Sequence, residues 1–209
     1  MSHHNHHNNE GCHSHDDNHD DNEFPEASGN LYSKIDLPNV ALLNSEHPAT
    51  GAIKPWNERM SKTYIESDAD DQLIIRVPFT GSVKLRSILL RAGPEDQTPS
   101  RILLFVNADQ LDFNDASQIT PTQEFEVAQS AEIGEYAVKQ AKFPNVRSLT
   151  IFIPSSQGAE ETRVLYLGFT GEFKELKEQP IITVYETQAN LADHEKIQGT
   201  NGVPTRPGM

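Results

Sequence analysis

The stretch that most restricts what this chain can fold into is Glu66 to Ala92, ESDADDQLIIRVPFTGSVKLRSILLRA. A run of carboxylates, Glu66, Asp68, Asp70 and Asp71, passes without a linker into the apolar run Leu73, Ile74, Ile75 and Val77. Pro78 to Gly81 then reads as a corner, with Gly81 expected at positive φ. Beyond it Val83 and Leu85 alternate with Lys84 and Arg86, the period-two signature of a strand with one buried and one solvated face. Ile88, Leu89 and Leu90 follow without a break, so both faces are covered there. Two strands joined by a corner, the second of them central, predict a sheet with another layer over it.

The rest of the body repeats the pattern at short spacing. Strands are expected at Tyr64 to Glu66, Arg101 to Val106, Thr122 to Val127, Glu135 to Lys139, Val146 to Ile153, Arg163 to Phe169 and Ile181 to Glu186, separated by Gly, Pro, Asn and Asp turns such as GPEDQTPS at residues 93–100. Leu31 to Leu43, interrupted by Pro38 and Asn39, reads as a short strand, a turn and one helical turn. No helical periodicity of useful length is present. The count and spacing predict an all-β chain, an antiparallel β-sandwich or jelly roll. Segments such as SLTIFI and VLYLGF each bury several large side chains, worth roughly 1.5 to 3 kcal/mol apiece.

Composition divides the chain of 209 residues. Residues 1–28 are rich in His, Asn and Asp, hold seven of the nine histidines, and offer almost nothing to bury beyond Phe24. Of the 31 acidic groups seven lie in the first 30 residues with no Lys or Arg, which is half of the net charge of −14. The remaining 24 acids still outnumber 17 bases, so the body repels phosphate backbones and generic nucleic-acid binding is disfavoured. Lys84, Arg86, Arg91 and Arg101 read as solvated strand faces rather than one basic stripe. The single cysteine, Cys12, lies in the polar tail, so no intramolecular disulfide staples the core, and a reducing compartment is expected. The sequence has no Asn-x-Ser/Thr sequon, no signal-peptide core and no apolar run long enough to span a bilayer. From about Gln188 the pattern is lost again.

Candidate chemistry is sparse. The histidines, Cys12 and Asp groups of the N-terminal tail suit Zn, Cu or Ni, and a histidine stands third whether Met1 is kept or removed; the plainer reading is a solvated tail. Asp68, Asp70 and Asp71 with Glu66 offer oxygen ligands for Ca²⁺ but lack the glycine and distal glutamate of an EF-hand, which favours a solvated strand entrance hydrogen-bonding neighbouring turns. Asp109, Asp112 and Asp115 span a loop around Phe113 and are read in the same way. Trp56, the only tryptophan, is either a ligand-stacking platform or a plug at one end of the core, and the core reading is preferred. His47 and His194, the histidines outside the tail, fall in a loop and a terminus, without a G-x-S-x-G elbow or a glycine-rich phosphate loop. No catalytic, cofactor-binding or metal-ligating residue is assigned, and no enzyme activity is expected.

The segments ESDAD, LIIRVPFTGSVKL, NVRSLTIFI, GAEETRVLYLGFTGEF and YETQANLADH, in this order, resemble the PITH domain, whose name describes the C-terminal domain of a proteasome-interacting thioredoxin. The resemblance covers about Asn30 to His194, and stand-alone members of the family also begin with a short His-rich, Cys-containing tail. It implies a jelly-roll sandwich like that of galactose-binding domains, and a docking module. Redox chemistry does not transfer, because neither a thioredoxin domain nor a C-x-x-C is present. The expectation is a tail over 1–28, a PITH domain over 29–194 and a C-terminal tail over 195–209. Its expected role is a non-enzymatic, monomeric interaction module of cytoplasm and nucleus with a protein partner, the 26S proteasome foremost, and with neither nucleic acid nor membrane. Two alternatives stand beside it, a small-ligand or carbohydrate-binding sandwich working near Trp56 and the acidic run, and metal handling through the His-rich tail.

Overall fold

Leu73–Ala92 is one unbroken strand of 20 residues, and every other element is placed by its pairing. In the computed structural model, which describes Met1 and residues 29–175, the strands run β1 Ala41–Leu43, β2 Ile65–Glu66, β3 Leu73–Ala92, β4 Arg101–Val106, β5 Gln123–Glu126, β6 Gly134–Ala137, β7 Val146–Ile153 and β8 Arg163–Lys174, with one α-helix, α1 Phe113–Gln118, between β4 and β5. All pairs are antiparallel. The N-terminal half of β3 lies between β1 and β7, with Ala41 opposite Arg76 and Pro78 opposite Ser148. Its C-terminal half lies between β6 and β8, with Ile88 opposite Tyr136 and Phe169. One layer is therefore β1-β3-β7-β4-β5, the other β2-β8-β3-β6, and β3 belongs to both. This is the antiparallel β-sandwich that the strand count predicts.

The alternation within β3 explains where its side chains go. Leu73, Ile75, Val77, Val83 and Leu85 face the shared core. The ladder with β8 then slips between Leu85 and Ser87, leaving Arg86 as an extra, exposed residue. An inserted residue inverts the inward parity, so beyond it the even-numbered Ile88, Leu90 and Ala92 point into the same core. From β4, β7 and β8 the side chains of Ile102, Leu104, Leu149, Ile151, Ile153, Leu167 and Phe169 close against them.

Pro78 to Gly81 does not end a strand. It is a bend within β3, where the β7 register shifts between Pro78 and Val83, and the chain crosses from one layer to the other. The preceding segment laps over it: Ile35 bridges to Phe79, and the Asp36 amide donates to the Pro78 carbonyl at 2.9 Å. Gly81 also departs from expectation, since the described glycines at positive φ are Gly29, Gly93 and Gly158. What demands a glycine is space: a Cβ there would lie 2.6 Å from the Phe173 ring and 2.8 Å from the Lys174 carbonyl oxygen.

Arg101–Val106 and Val146–Ile153 match the expected bounds, while β8 runs on to Lys174, beyond the predicted Phe169. Between Leu31 and Leu43 the helical turns come first, at Tyr32–Lys34 and Leu37–Asn39, and the strand last. The strand expected at Ile181 to Glu186, His194 and both tails lie outside the described residues. Helix α1 replaces the loop expected around Phe113. Six residues are too few for periodicity to register, but its start is chemically clear, because the Asp112 carboxylate accepts from the Asp115 amide at 2.8 Å. The helix lays Phe113 and Ala116 over Ile74, Leu103 and Phe152 on the outer face of the first layer, Phe113 meeting Phe152 edge-on at 6.1 Å. No helix among the described residues is long and apolar enough to cross a membrane.

Candidate functional site

Most residues singled out by sequence serve the fold. Glu66 pairs with the Arg163 guanidinium at 2.6 Å and accepts from Gln97. Asp70 accepts from the Asn44 amide and the Gln72 backbone, and Asp71 from the Ser156 backbone at 2.8 Å. Asn44, held at φ 63°, also accepts from the Ala69 amide, so the acidic run is a set of stapled turns with only Asp68 left to solvent by its side chain. Asp109, Asp112 and Asp115 are divided between a loop and the helix cap. No group of three or more His, Cys, Asp or Glu side chains among the described residues is placed to hold a metal. Lys84 and Arg101 face Glu172 and Glu124 across neighbouring strands, and Arg91 donates to the Ala131 carbonyl, so the basic residues form no stripe.

Trp56 is half-buried, edge-on to Tyr166 at 6.0 Å, with the Arg59 guanidinium 4.3 Å above its ring. One face of the proposed stacking platform is thus occupied by the chain's own arginine. In the same segment Lys54 is buried, and its Nζ donates to Ser61, to the Thr63 hydroxyl and to the Thr63 carbonyl at 2.7 to 3.0 Å. Burial, and then the nearby Arg91 charge, hold its ammonium below the usual lysine range. Burial pushes the Tyr166 phenol up to about 12, with Arg59 opposing. His47 is exposed against Tyr64.

One cleft gathers polar side chains from three separate segments. On the outer face of the first layer, β3, β7 and the loop after β4 enclose an open cleft of about 770 Å³, lined by Arg76, Asn107, Asp109, Asn145, Arg147 and Ser148, with Ala41 and Pro78 on its apolar side. The register puts them there. Arg76 stands opposite Thr150, Pro78 opposite Ser148, and the residues after Val106 cross that surface, tied down by the Thr150 hydroxyl donating to the Ala108 carbonyl at 2.9 Å. Asn107, in the left-handed region at φ 55°, is the clasp: its Oδ1 accepts from the Arg147 and Ser148 amides at 2.8 and 3.2 Å, and its Nδ2 donates to the Asn145 carbonyl. The Ser148 hydroxyl donates to Asp109.

Arg76 is half-buried. Its Nη2 donates to the Leu111 carbonyl at 2.6 Å, its buried Nε has no partner, and no carboxylate pairs with it among the described residues. Arg147 is exposed and likewise without an ion pair among them. Sequence reasoning passed over this cleft. The one local signal was Arg76 itself, a charge inside the apolar run LIIRVPF with no acid at pairing distance along the strand.

The PITH domain family model matches residues 21–189. PITH domain-containing protein 1 of Homo sapiens is 40% identical over 187 residues, 85% of this chain and 88% of that one. A PITH domain-containing protein of Drosophila melanogaster is 40% identical over 172 residues, 79% of this chain and 81% of its own. Among solved structures, a family 32 carbohydrate-binding module of C. perfringens in complex with galactose aligns with a TM-score of 0.49 at 10% identity, over 68% of this chain and 97% of that one.

Proposed function

The chain belongs to the PITH domain family, and we propose that it is a protein-interaction module without a catalytic step of its own, a monomeric adaptor of cytoplasm and nucleus that docks on the proteasome. The observation that carries this reading is the Arg76–Arg147 cleft. Here a half-buried guanidinium held only by the Leu111 carbonyl and an exposed one without an ion pair among the described residues line one cleft on an acidic protein. An unpaired arginine in a cleft is what a recognition surface for another molecule contains. The resemblance of ESDAD, LIIRVPFTGSVKL and NVRSLTIFI to a proteasome-interacting module supplies the partner.

The test is direct capture. Full-length protein on resin, mixed with purified 26S proteasome, is expected to retain proteasome subunits at physiological salt. Failure to retain them with a chain shown to be folded would remove the proteasome as partner.

A further inference from the structure

We propose that the Arg76–Arg147 cleft binds an acidic peptide segment, its carboxylates on the two guanidiniums. This deepens the docking reading above and rests on it. Arg76 presents an unsatisfied, buried Nε beside a guanidinium anchored at one corner only, by Leu111. A planar fork fixed at one edge is pre-organised for a carboxylate, which it grips through paired N–H donors. Nε itself lies under the surface, so the carboxylate meets the terminal N–H donors that Leu111 leaves open. Arg147 and Asn145 stand beside it on the strand start that Asn107 holds in place.

The remaining lining identifies the partner. With Arg76 and Arg147 against Asp109, the cleft carries a net charge of one positive on a chain of −14. Asp109 is oriented by Ser148 and presents acceptor oxygens to the same space. A dianionic phosphate would concentrate up to two negative charges against that carboxylate, whereas a peptide carboxylate brings one. An Asp/Glu peptide carries carboxylates to which the arginines donate and backbone N–H groups that donate to Asp109. Ala41 and Pro78 supply the apolar floor on which its chain lies.

The experiment is fluorescence anisotropy with full-length protein and a labelled ten-residue Asp/Glu peptide, run beside its Asn/Gln counterpart and a phosphoserine peptide. Binding of the acidic peptide is expected, with the amide peptide weaker by about tenfold or more and salt weakening the acidic peptide alone. Arg147→Met, an exposed substitution that leaves the fold untouched, should weaken binding by about tenfold, and Arg76→Lys should do the same because an ammonium cannot reproduce the fork. Amide chemical shifts should move at Asn107, Asn145 and Arg147. Equal affinity for the acidic and amide peptides, or unchanged affinity in Arg147→Met, overturns the proposal. Tighter binding of the phosphoserine peptide overturns the choice of carboxylate. If these variants keep full proteasome capture while no peptide binds, the cleft assignment fails and the adaptor reading stands; if the peptide binds and capture is absent, the reverse holds.

Discussion

Gly81 is required by a close approach rather than by an unusual backbone angle, and the distinction changes what a substitution does. The Cβ of any other residue meets the Phe173 ring and the Lys174 carbonyl. An alanine already requires both the ring and the Lys174 carbonyl to shift, and valine adds two further carbons against backbone that β8 holds in register. We expect Gly81→Val to lower the melting temperature by several degrees, corresponding to about 2 to 3 kcal/mol, and Gly81→Ala to cost less. Equal melting temperatures for wild type and the valine variant would contradict the packing described. Tyr166 gives the residue scale a pH signature. Its folded-state pKa of about 12 lies above the ordinary 10.0, so the folded protein keeps a proton that the unfolded chain loses. Its contribution is complete below pH 10 and is lost as the pH rises through 12. Lys54 acts in the opposite sense, its lowered pKa adding stability as the pH rises towards 10.5, so above that point only the tyrosine loss remains. The fall in melting temperature between pH 10 and 11.5 should be smaller in Tyr166→Phe than in wild type.

At the scale of the element, β3 depends on one residue whose side chain does almost nothing for the core. Arg86 is the extra residue between Leu85 and Ser87, and it sets which side of the strand Ile88, Leu90 and Ala92 present. Removing it would turn two large apolar side chains outwards, at roughly 1.5 to 3 kcal/mol each, or break the β8 ladder over its longest run. Either loss is a large part of the 5 to 15 kcal/mol, roughly, that a domain has. Deletion of Arg86 is therefore expected to abolish cooperative thermal unfolding, whereas Arg86→Ala, a change at an exposed side chain, should cost under about 1 kcal/mol. A cooperative transition in the deletion variant would show that the register is set elsewhere. Helix α1 makes the complementary point, since a cap and six residues suffice where Phe113 has a hydrophobic face to rest on.

For the whole molecule, the layers could be read from the sequence because alternation of side chains is a local property: Val83, Lys84, Leu85 and Arg86 announce a strand with no knowledge of its partners. Register is not local. That β3 serves both layers depends on Ala41, Tyr136, Ser148 and Phe169 arriving at its two flanks, and the continuous strand was hidden by Pro78 and Gly81, residues that normally mark a turn. The candidate site was hidden for the same reason. Arg76, Asn107, Asp109 and Arg147 come from three separate segments, and only the pairing of β3 with β7 and the clasp at Asn107 bring them together. Conversely, the acidic run was conspicuous as sequence and proved to be a set of turns fastened by Asn44 and Ser156. That agrees with the reading of the run as a strand entrance bonded to neighbouring turns, while the lone charge in LIIRVPF is a residue that lines the cleft.

The sharing of β3 between layers also governs how the protein can be made. Its second half is complete only when β8 lies along it, and β8 ends at Lys174. During synthesis the apolar run Ile88, Leu89 and Leu90 therefore emerges long before β8, and the second layer cannot close until β8 follows. Until β8 emerges, that half of β3 has one unpaired, strongly β-prone edge, the kind of edge that invites association with other chains while it stays open.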